Sequence, residues 1–241
     1  MLALIVSILI LIGSHGDAAE EQVRIGPRVV RANHLEPISP YDPSGYDQAV
    51  FRSLIGEDLG QLWMVVKPSF SPEYAIVLRQ KVKLKPTTDP FAAEIESEKW
   101  TIEFVEAKKQ IWRSEYLDRG RLQLDINVTH DVVRHHAEVP DVFAKTIAET
   151  WESVLKQTRY PIDAVSGFDG VTYQFYSKYG FYGETWTPST GVPLMMTELG
   201  LKLGEIAKAS DKQRAQLISE SQEIAKKIDA AISHPSEPVE R

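Results

Sequence analysis

The sequence predicts an α+β fold, a mostly antiparallel sheet of about six strands with C-terminal helices packed on one face. Three observations lead to this prediction. β-branched and apolar runs, separated by Pro and Gly, fill much of residues 62–128. A glycine-bounded aromatic stretch at residues 167–191 predicts a hairpin. Apolar residues recur every three to four positions in three later segments, as the buried stripe of a helix requires.

The first strands are predicted from short apolar runs. LWMVVK (62–67) is continuously apolar, YAIVLRQKVKL (74–84) is β-branched, and an alternating segment begins at Trp100. RLQLDINV (121–128) alternates strictly between apolar and polar residues, so it predicts a strand with one face in water. The alternating apolar residues are Leu122, Leu124, Ile126 and Val128.

Three helices are predicted from the 3.6-residue period. The first follows Pro140, and the second spans about residues 193–209. Ser210 and Gln213 match a capping box, which starts the third helix at about residues 211–232. The stripe of the first helix is Phe143, Ile147, Trp151 and Val154.

The N-terminus carries the apolar run MLALIVSILILIG, which is shorter than the roughly 20 residues of a membrane-spanning helix. Gly16 and Ala18 are small residues at −3 and −1 of a cut after Ala18, so residues 1–18 are expected to be a signal peptide. Because no Lys or Arg precedes the run, a retained anchor is the alternative. The expected organisation continues with an extended arm (19–60), a single α+β domain (61–233) and a disordered tail (234–241).

Composition and motifs exclude several classes of protein. The chain has no Cys, which excludes disulfides, thiolate metal sites, cysteine nucleophiles and lipidation at the cut site. Its net charge of −7 gives no reason to expect nucleic acid or an anionic membrane as partner. We find no nucleotide-binding, nucleophile-elbow or zinc-protease motif, so no cofactor and no metal are predicted.

Two polar clusters are candidates for chemistry. His130, His135 and His136 are close in sequence, but their spacing matches no zinc pattern, and an exposed strand end explains them. As a strand, His130 and His136 would share one face while His135 would point to the other. The second cluster is an acidic stripe that a solvated strand face explains. Its members are Glu94, Glu96 and Glu98.

The aromatic stretch GFDGVTYQFYSKYGFYGETWTPSTG is the candidate binding site. Val171, Tyr173 and Phe175 are expected to face the helices. The remaining tyrosines are expected to be partly exposed near the hairpin tip, with Phe181 beside them, where they would bind a partner protein. These predicted partner-binding residues are Tyr176, Tyr179 and Tyr182.

GFDGVTYQF followed by GETWTPSTGVPLMMTELGLKL resembles exported bacterial proteins of unassigned function. Those proteins carry a Gly-x-Asp-Gly-x-x-Tyr-x-Phe strand, then Gly-x-Thr-Trp-Ser/Thr-Pro and a Leu-rich helix, and TRYP (158–161) precedes the pattern here. The resemblance covers about residues 141–209. It implies a fold element, and it implies no activity and no catalytic residues.

These observations favour an exported, periplasmic or secreted, non-enzymatic protein that binds another protein. One concrete form is an immunity protein or inhibitor of an envelope-acting toxin or lytic enzyme. After signal cleavage no membrane association is expected, and the oligomeric state is left open. Two alternatives remain: a hydrolase of unfamiliar type using His130 or His136 with carboxylates, and a membrane-anchored structural component of the envelope.

Overall fold

The computed structural model of the protein describes residues 33–40, 42, 45–85, 95–111, 115–117, 121–123, 131–160 and 169–234. The strands are β1 Leu62–Pro68, β2 Tyr74–Leu84, β3 Ile95–Ala107, β4 Glu115–Leu117, β5 Arg121–Gln123, β6 Val132–Val139, β7 Val171–Ser177 and β8 Tyr182–Trp186. The helices are α1 Tyr46–Leu54, α2 Asp141–Leu155, α3 Gly191–Lys208 and α4 Asp211–Ser233. The predicted α+β class is confirmed.

Six strands form one sheet in the order β6-β3-β2-β1-β7-β8, and every neighbouring pair is antiparallel. β4 and β5 form a separate two-stranded ribbon. At the outer edge of β8, Glu36 exchanges two backbone hydrogen bonds with Glu184, at 2.9 and 2.7 Å. Among the described residues, the pairing is confined to this one bridge. Pro37, the next residue, is tolerated at this edge because the N–H that it lacks would point away from β8.

One face of the sheet packs against the C-terminal helices, as predicted. α2 and α3 lie against the sheet, and α4 packs on α2 and α3. Phe143, Ile147, Trp151 and Val154 are buried, so the stripe predicted for α2 is confirmed. In this larger core, the even-numbered residues of β1, such as Met64, pack with residues of α3 and α4, such as Leu203 and Ile228.

The opposite face is also apolar, and α1 covers it. Ala49, Val50 and Leu54 pack there with Trp63 and Val65 of β1. α1 lies within the segment predicted as an extended arm, so residues 46–54 of that segment are helical. Since both faces of β1 are covered, the strand is continuously apolar rather than alternating.

A charged network occupies this second face beyond α1. Glu103 of β3 bonds Arg79 of β2 at 2.9 Å and Arg134 of β6 at 2.8 Å. Burial of Glu103 would raise its pKa, but the two guanidinium groups outweigh burial and lower the pKa below its ordinary value. The network therefore ties three neighbouring strands together.

Of the alternating segment 121–128, only Arg121–Gln123 is described, as β5, and the remainder lies outside the described residues. At the start of α4, the Ser210 hydroxyl bonds the side chain of Gln213 at 2.8 Å. The Ser210 side chain accepts no hydrogen bond from a backbone N–H. The helix therefore starts where the capping box predicts, but without the capping hydrogen bond that the pattern implies.

Candidate functional site: an aromatic surface at the β7–β8 turn

β7 and β8 form the predicted hairpin, and the hydrogen-bonded pair Ser177–Phe181 closes a three-residue loop of residues 178–180 between them. The N–H of Gly180 donates to the Ser177 carbonyl at 3.1 Å, and the N–H of Ser177 donates to the Phe181 carbonyl at 2.9 Å. Gly180 has a φ of 82°. That left-handed conformation closes a three-residue hairpin loop and disfavours residues with a Cβ. The local sequence thus places Tyr179 at the tip of the turn.

One face of the hairpin belongs to the core. Phe175 is fully buried, and its ring meets Trp151 of α2 edge to face with 5.4 Å between centroids. Tyr173 lies on the same face and is partly buried. The prediction that this face packs against the helices is confirmed for both residues.

Tyr176 points to the second face of the sheet. Its ring stacks on Trp63, with 5.4 Å between centroids and 11° between ring planes. Its hydroxyl donates to Oε1 of Gln174 at 3.1 Å, and burial raises the pKa of the phenol. Tyr176 is partly exposed, as expected, but the second core holds its ring, and the side chain does not lie at the tip. Tyr182 lies directly opposite it on β8.

Exposed aromatic side chains are concentrated at this end of the sheet. Tyr179 is 63% exposed, Tyr182 50% and Phe181 37%. Tyr160, just beyond the end of α2, is 82% exposed. Among the described residues, one further aromatic side chain is classed as exposed: Phe70, in the turn between β1 and β2 at the opposite end of the sheet. We call Tyr160, Tyr179, Phe181 and Tyr182 the aromatic surface.

Close packing brings the end of α2 to the hairpin. A Cβ at Gly183 would lie 2.8 Å from Oγ1 of Thr158, so the segment after α2 lies directly on β8. The next residue, Arg159, donates its N–H to the Leu35 carbonyl at 3.2 Å. Leu35 is fully buried and anchors the segment that bridges to β8. These contacts bring Thr158 and Arg159, the two residues before Tyr160, to the hairpin, although about 20 residues separate them from the turn in sequence.

Lysine ammonium groups lie over two of the exposed aromatic rings. The ammonium of Lys178 lies 4.8 Å from the Tyr179 ring centroid, and that of Lys156 lies 5.5 Å from the Phe181 centroid. Cations at this distance are attracted to the ring faces. No pattern in the sequence points to Lys156, Arg159 or Lys178 as a contact residue. Lys178 adjoins Tyr179 in sequence, but the other two reach the surface only through the packing of α2 against β8.

The other predicted clusters do not converge on this surface. His135 and His136 are exposed on β6, and strand alternation puts their side chains on opposite faces; His135 lies near Phe104 of the first face. His130 lies outside the described residues. In the described part of the chain, no group of three or more His, Asp or Glu side chains could hold a metal ion.

Of the acidic stripe, Glu98 is the one member whose side chain is described. Its Oε1 accepts a 2.7 Å bond from Trp100 Nε1 and another from Gln80 Nε2, and it lies 3.5 Å from the ammonium of Lys145. Glu98 thus ties β2 and β3 to the start of α2. Glu94, like the side chain of Glu96, lies outside the described residues.

A shallow cleft lies at the turn between α3 and α4. It is lined by Glu205, Lys208, Ala209, Gln213, Gln216 and Leu217. The ammonium of Lys208 lies 3.9 Å from the Phe104 ring centroid, so this lysine also covers the edge of the first core. Long polar side chains make up most of the lining, which gives the cleft the character of a surface groove between helix ends.

Comparison with known proteins finds no relative of this chain: no family model, no characterised protein and no solved structure matches it significantly. None of the helices in the described part of the chain has the length and apolar character needed to cross a membrane.

Proposed function

We propose that this chain is an exported, non-enzymatic protein that binds another protein through the aromatic surface at the β7–β8 turn. The observation that carries the proposal is the concentration of exposed aromatic side chains at one end of the sheet. Tyr and other large aromatic residues supply much contact area at low entropic cost, and they dominate the energetics of protein interfaces.

The framework beneath the surface supports this role. The turn is closed by backbone hydrogen bonds and rests on buried Phe175, while Tyr176 is stacked on Trp63. A rigid base reduces the entropy lost on binding, since little of the surface must be ordered by the partner. Tyr179 and Tyr182 are then the contact residues, and Tyr176 is a support beneath them.

The proposed location outside the cytosol rests on the apolar run at residues 1–13 and the small residues after it. A partner in the bacterial envelope fits this location, and an immunity protein or inhibitor of an envelope-acting toxin or lytic enzyme is the concrete form we propose.

Position-specific photocrosslinking in the source cells tests the binding site. A benzoylphenylalanine residue replaces Tyr179 in one strain, Tyr182 in a second and Phe70 in a third. Phe70 is the matched control because it is 80% exposed but lies at the other end of β1. We expect one covalent adduct of the same mass from positions 179 and 182, and none from position 70. Equal adducts from all three positions, or none from 179 and 182, would contradict the proposal.

A further inference from the structure

The two segments that form the aromatic surface are basic, although the protein as a whole is acidic. Residues 156–160 and 178–182 contain three cationic and four aromatic side chains and no acidic one. The whole chain carries 34 acidic residues against 27 Lys and Arg. The local charge is therefore opposite in sign to the overall charge. The cations are Lys156, Arg159 and Lys178.

These cations have no carboxylate partner within the described part of the chain, whereas at least nine other Lys and Arg residues there form ion pairs. The nearby loop before β1 contacts the turn, because the Lys178 N–H donates to the Gln61 carbonyl at 2.9 Å. Asp58 of that loop is already paired with Arg79. The positive charge at the surface is thus not neutralised within these contacts.

We infer that the surface recognises an acidic segment of the partner protein, with carboxylates meeting Lys156, Arg159 and Lys178 and apolar side chains meeting the exposed rings. This inference rests on the proposed function. The ammonium groups of Lys156 and Lys178 lie over aromatic rings and beside apolar surface. A carboxylate of the partner forms charge-assisted hydrogen bonds with these ammonium groups, while apolar side chains next to it in the partner cover the exposed rings.

Charge also favours a protein over other anionic partners. Nucleic-acid binding depends on neutralising many phosphates, and a net charge of −7 repels a polyanion of that density. Anionic membranes likewise attract larger basic clusters than three residues. On the same hairpin, Glu184 of β8 faces Glu36 at the strand edge. These two glutamates repel carboxylates from that edge and confine an acidic segment to the turn.

A defined acidic probe tests the chemistry. The ¹⁵N-labelled full chain is titrated with a Glu-Tyr random copolymer, and a Lys-Tyr copolymer, a dT oligonucleotide and anionic lipid vesicles are titrated separately. We expect the Glu-Tyr copolymer alone to shift the amide signals of residues 156–160 and 178–182, and to bind more weakly at high salt. Equal shifts there from the Lys-Tyr copolymer, the oligonucleotide or the vesicles would overturn the inference.

Charge reversal separates this inference from the proposed function. Lys156→Glu with Lys178→Glu should weaken copolymer binding at least about tenfold. The control, Lys212→Glu with Lys227→Glu on exposed positions of α4, should leave it unchanged. In cells, the same reversal should remove the adduct from position 179. An adduct that persists at full yield would refute the acidic partner and leave the binding site standing; no adduct even without the reversal would refute the binding site itself.

Discussion

The indole of Trp63 and the phenol of Tyr176 lie face to face, 5.4 Å apart and 11° from parallel. This stack joins β1 and β7 on the second face of the sheet, and Phe51 of α1 meets the Trp63 ring edge to face at 6.2 Å. The base of the aromatic surface is therefore continuous with the smaller core under α1. Substitutions at neighbouring tyrosines of one hairpin should consequently have different effects.

Tyr176→Ala is expected to lower the free energy of unfolding by more than about 1 kcal/mol, since a stacked aromatic pair contributes about 0.5–1.5 kcal/mol beyond the area it buries. Tyr182→Ala, the directly opposed but exposed control, should stay within about 0.5 kcal/mol. Urea unfolding of both variants measures the difference. Equal midpoints would show that the stack does not hold the hairpin.

Phe175→Ala is expected to cost about 3–5 kcal/mol, because a fully buried ring against Trp151 would be replaced by a cavity. Each kcal/mol lowers Tm by roughly 2–4 °C in a domain of this size. Phe181→Ala is the control at the exposed end of the hairpin, and it should melt near the parent temperature. Thermal melts decide between them, and a Phe175→Ala variant as stable as the parent would place this residue outside the core.

Local patterns in the sequence predicted most of the sheet. The period-2 alternation from Val171 to Phe175 gave the correct inward face, and the β-branched run 74–84 coincides with β2. The helical stripe from Phe143 to Trp151 was equally informative. Each of these signals depends on neighbours in the chain, and burial enforces it directly.

The remainder of the site depends on contacts between distant segments. Lys156 and Thr158 reach the hairpin through the packing of the end of α2 against β8, where a Cβ at Gly183 would lie 2.8 Å from Oγ1 of Thr158. The stacking of Tyr176 on Trp63 depends on the pairing of β7 with β1, which are about a hundred residues apart. Alternation alone shows that Tyr176 leaves the first core; it does not show that α1 builds a second one.

Tyr46→Phe is expected to cost about 1–3 kcal/mol of stability. The Tyr46 hydroxyl donates a 2.6 Å hydrogen bond to Oε1 of Glu73, which is fully buried, so the substitution takes a partner from a buried oxygen. Oε2 of Glu73 accepts the Ile111 N–H at 2.6 Å, so the same carboxyl also fixes the loop after β3. Tyr74→Phe is the matched control, because Tyr74 is also a partly buried tyrosine, whose pKa burial raises to about 12. Its hydroxyl, unlike that of Tyr46, makes no hydrogen bond within the described residues. Guanidinium unfolding that gives equal free energies for both variants would contradict a structural role for the Tyr46–Glu73 bond.

The chain found outside the cytosol is expected to begin at or near Ala19, since the apolar run and the Gly16-x-Ala18 pattern predict cleavage there. Intact-mass measurement on a periplasmic extract checks this. Recovery of the 27.2 kDa chain from the membrane fraction would show instead that the segment is retained as an anchor.

Glu36→Gln is expected to stabilise the protein at neutral pH. Burial raises the pKa of Glu36, the facing Glu184 raises it further, and His34 partly offsets both. A raised carboxyl pKa means that the folded state binds the proton more tightly than the unfolded state, so ionisation of Glu36 destabilises the fold. That destabilisation is complete above the raised pKa, fades as the pH falls through it, and is absent below the ordinary value of 4.5.

The variant should therefore be more stable than the parent at pH 7, and the difference should disappear by about pH 4. Glu149→Gln, at an exposed position of α2, is the control and should show no such pH-dependent difference. Urea midpoints measured for the three proteins from pH 7 to pH 4 test the sign: a variant that is less stable than the parent at pH 7, with the deficit disappearing toward pH 4, would mean that Glu36 stabilises the fold in its charged form.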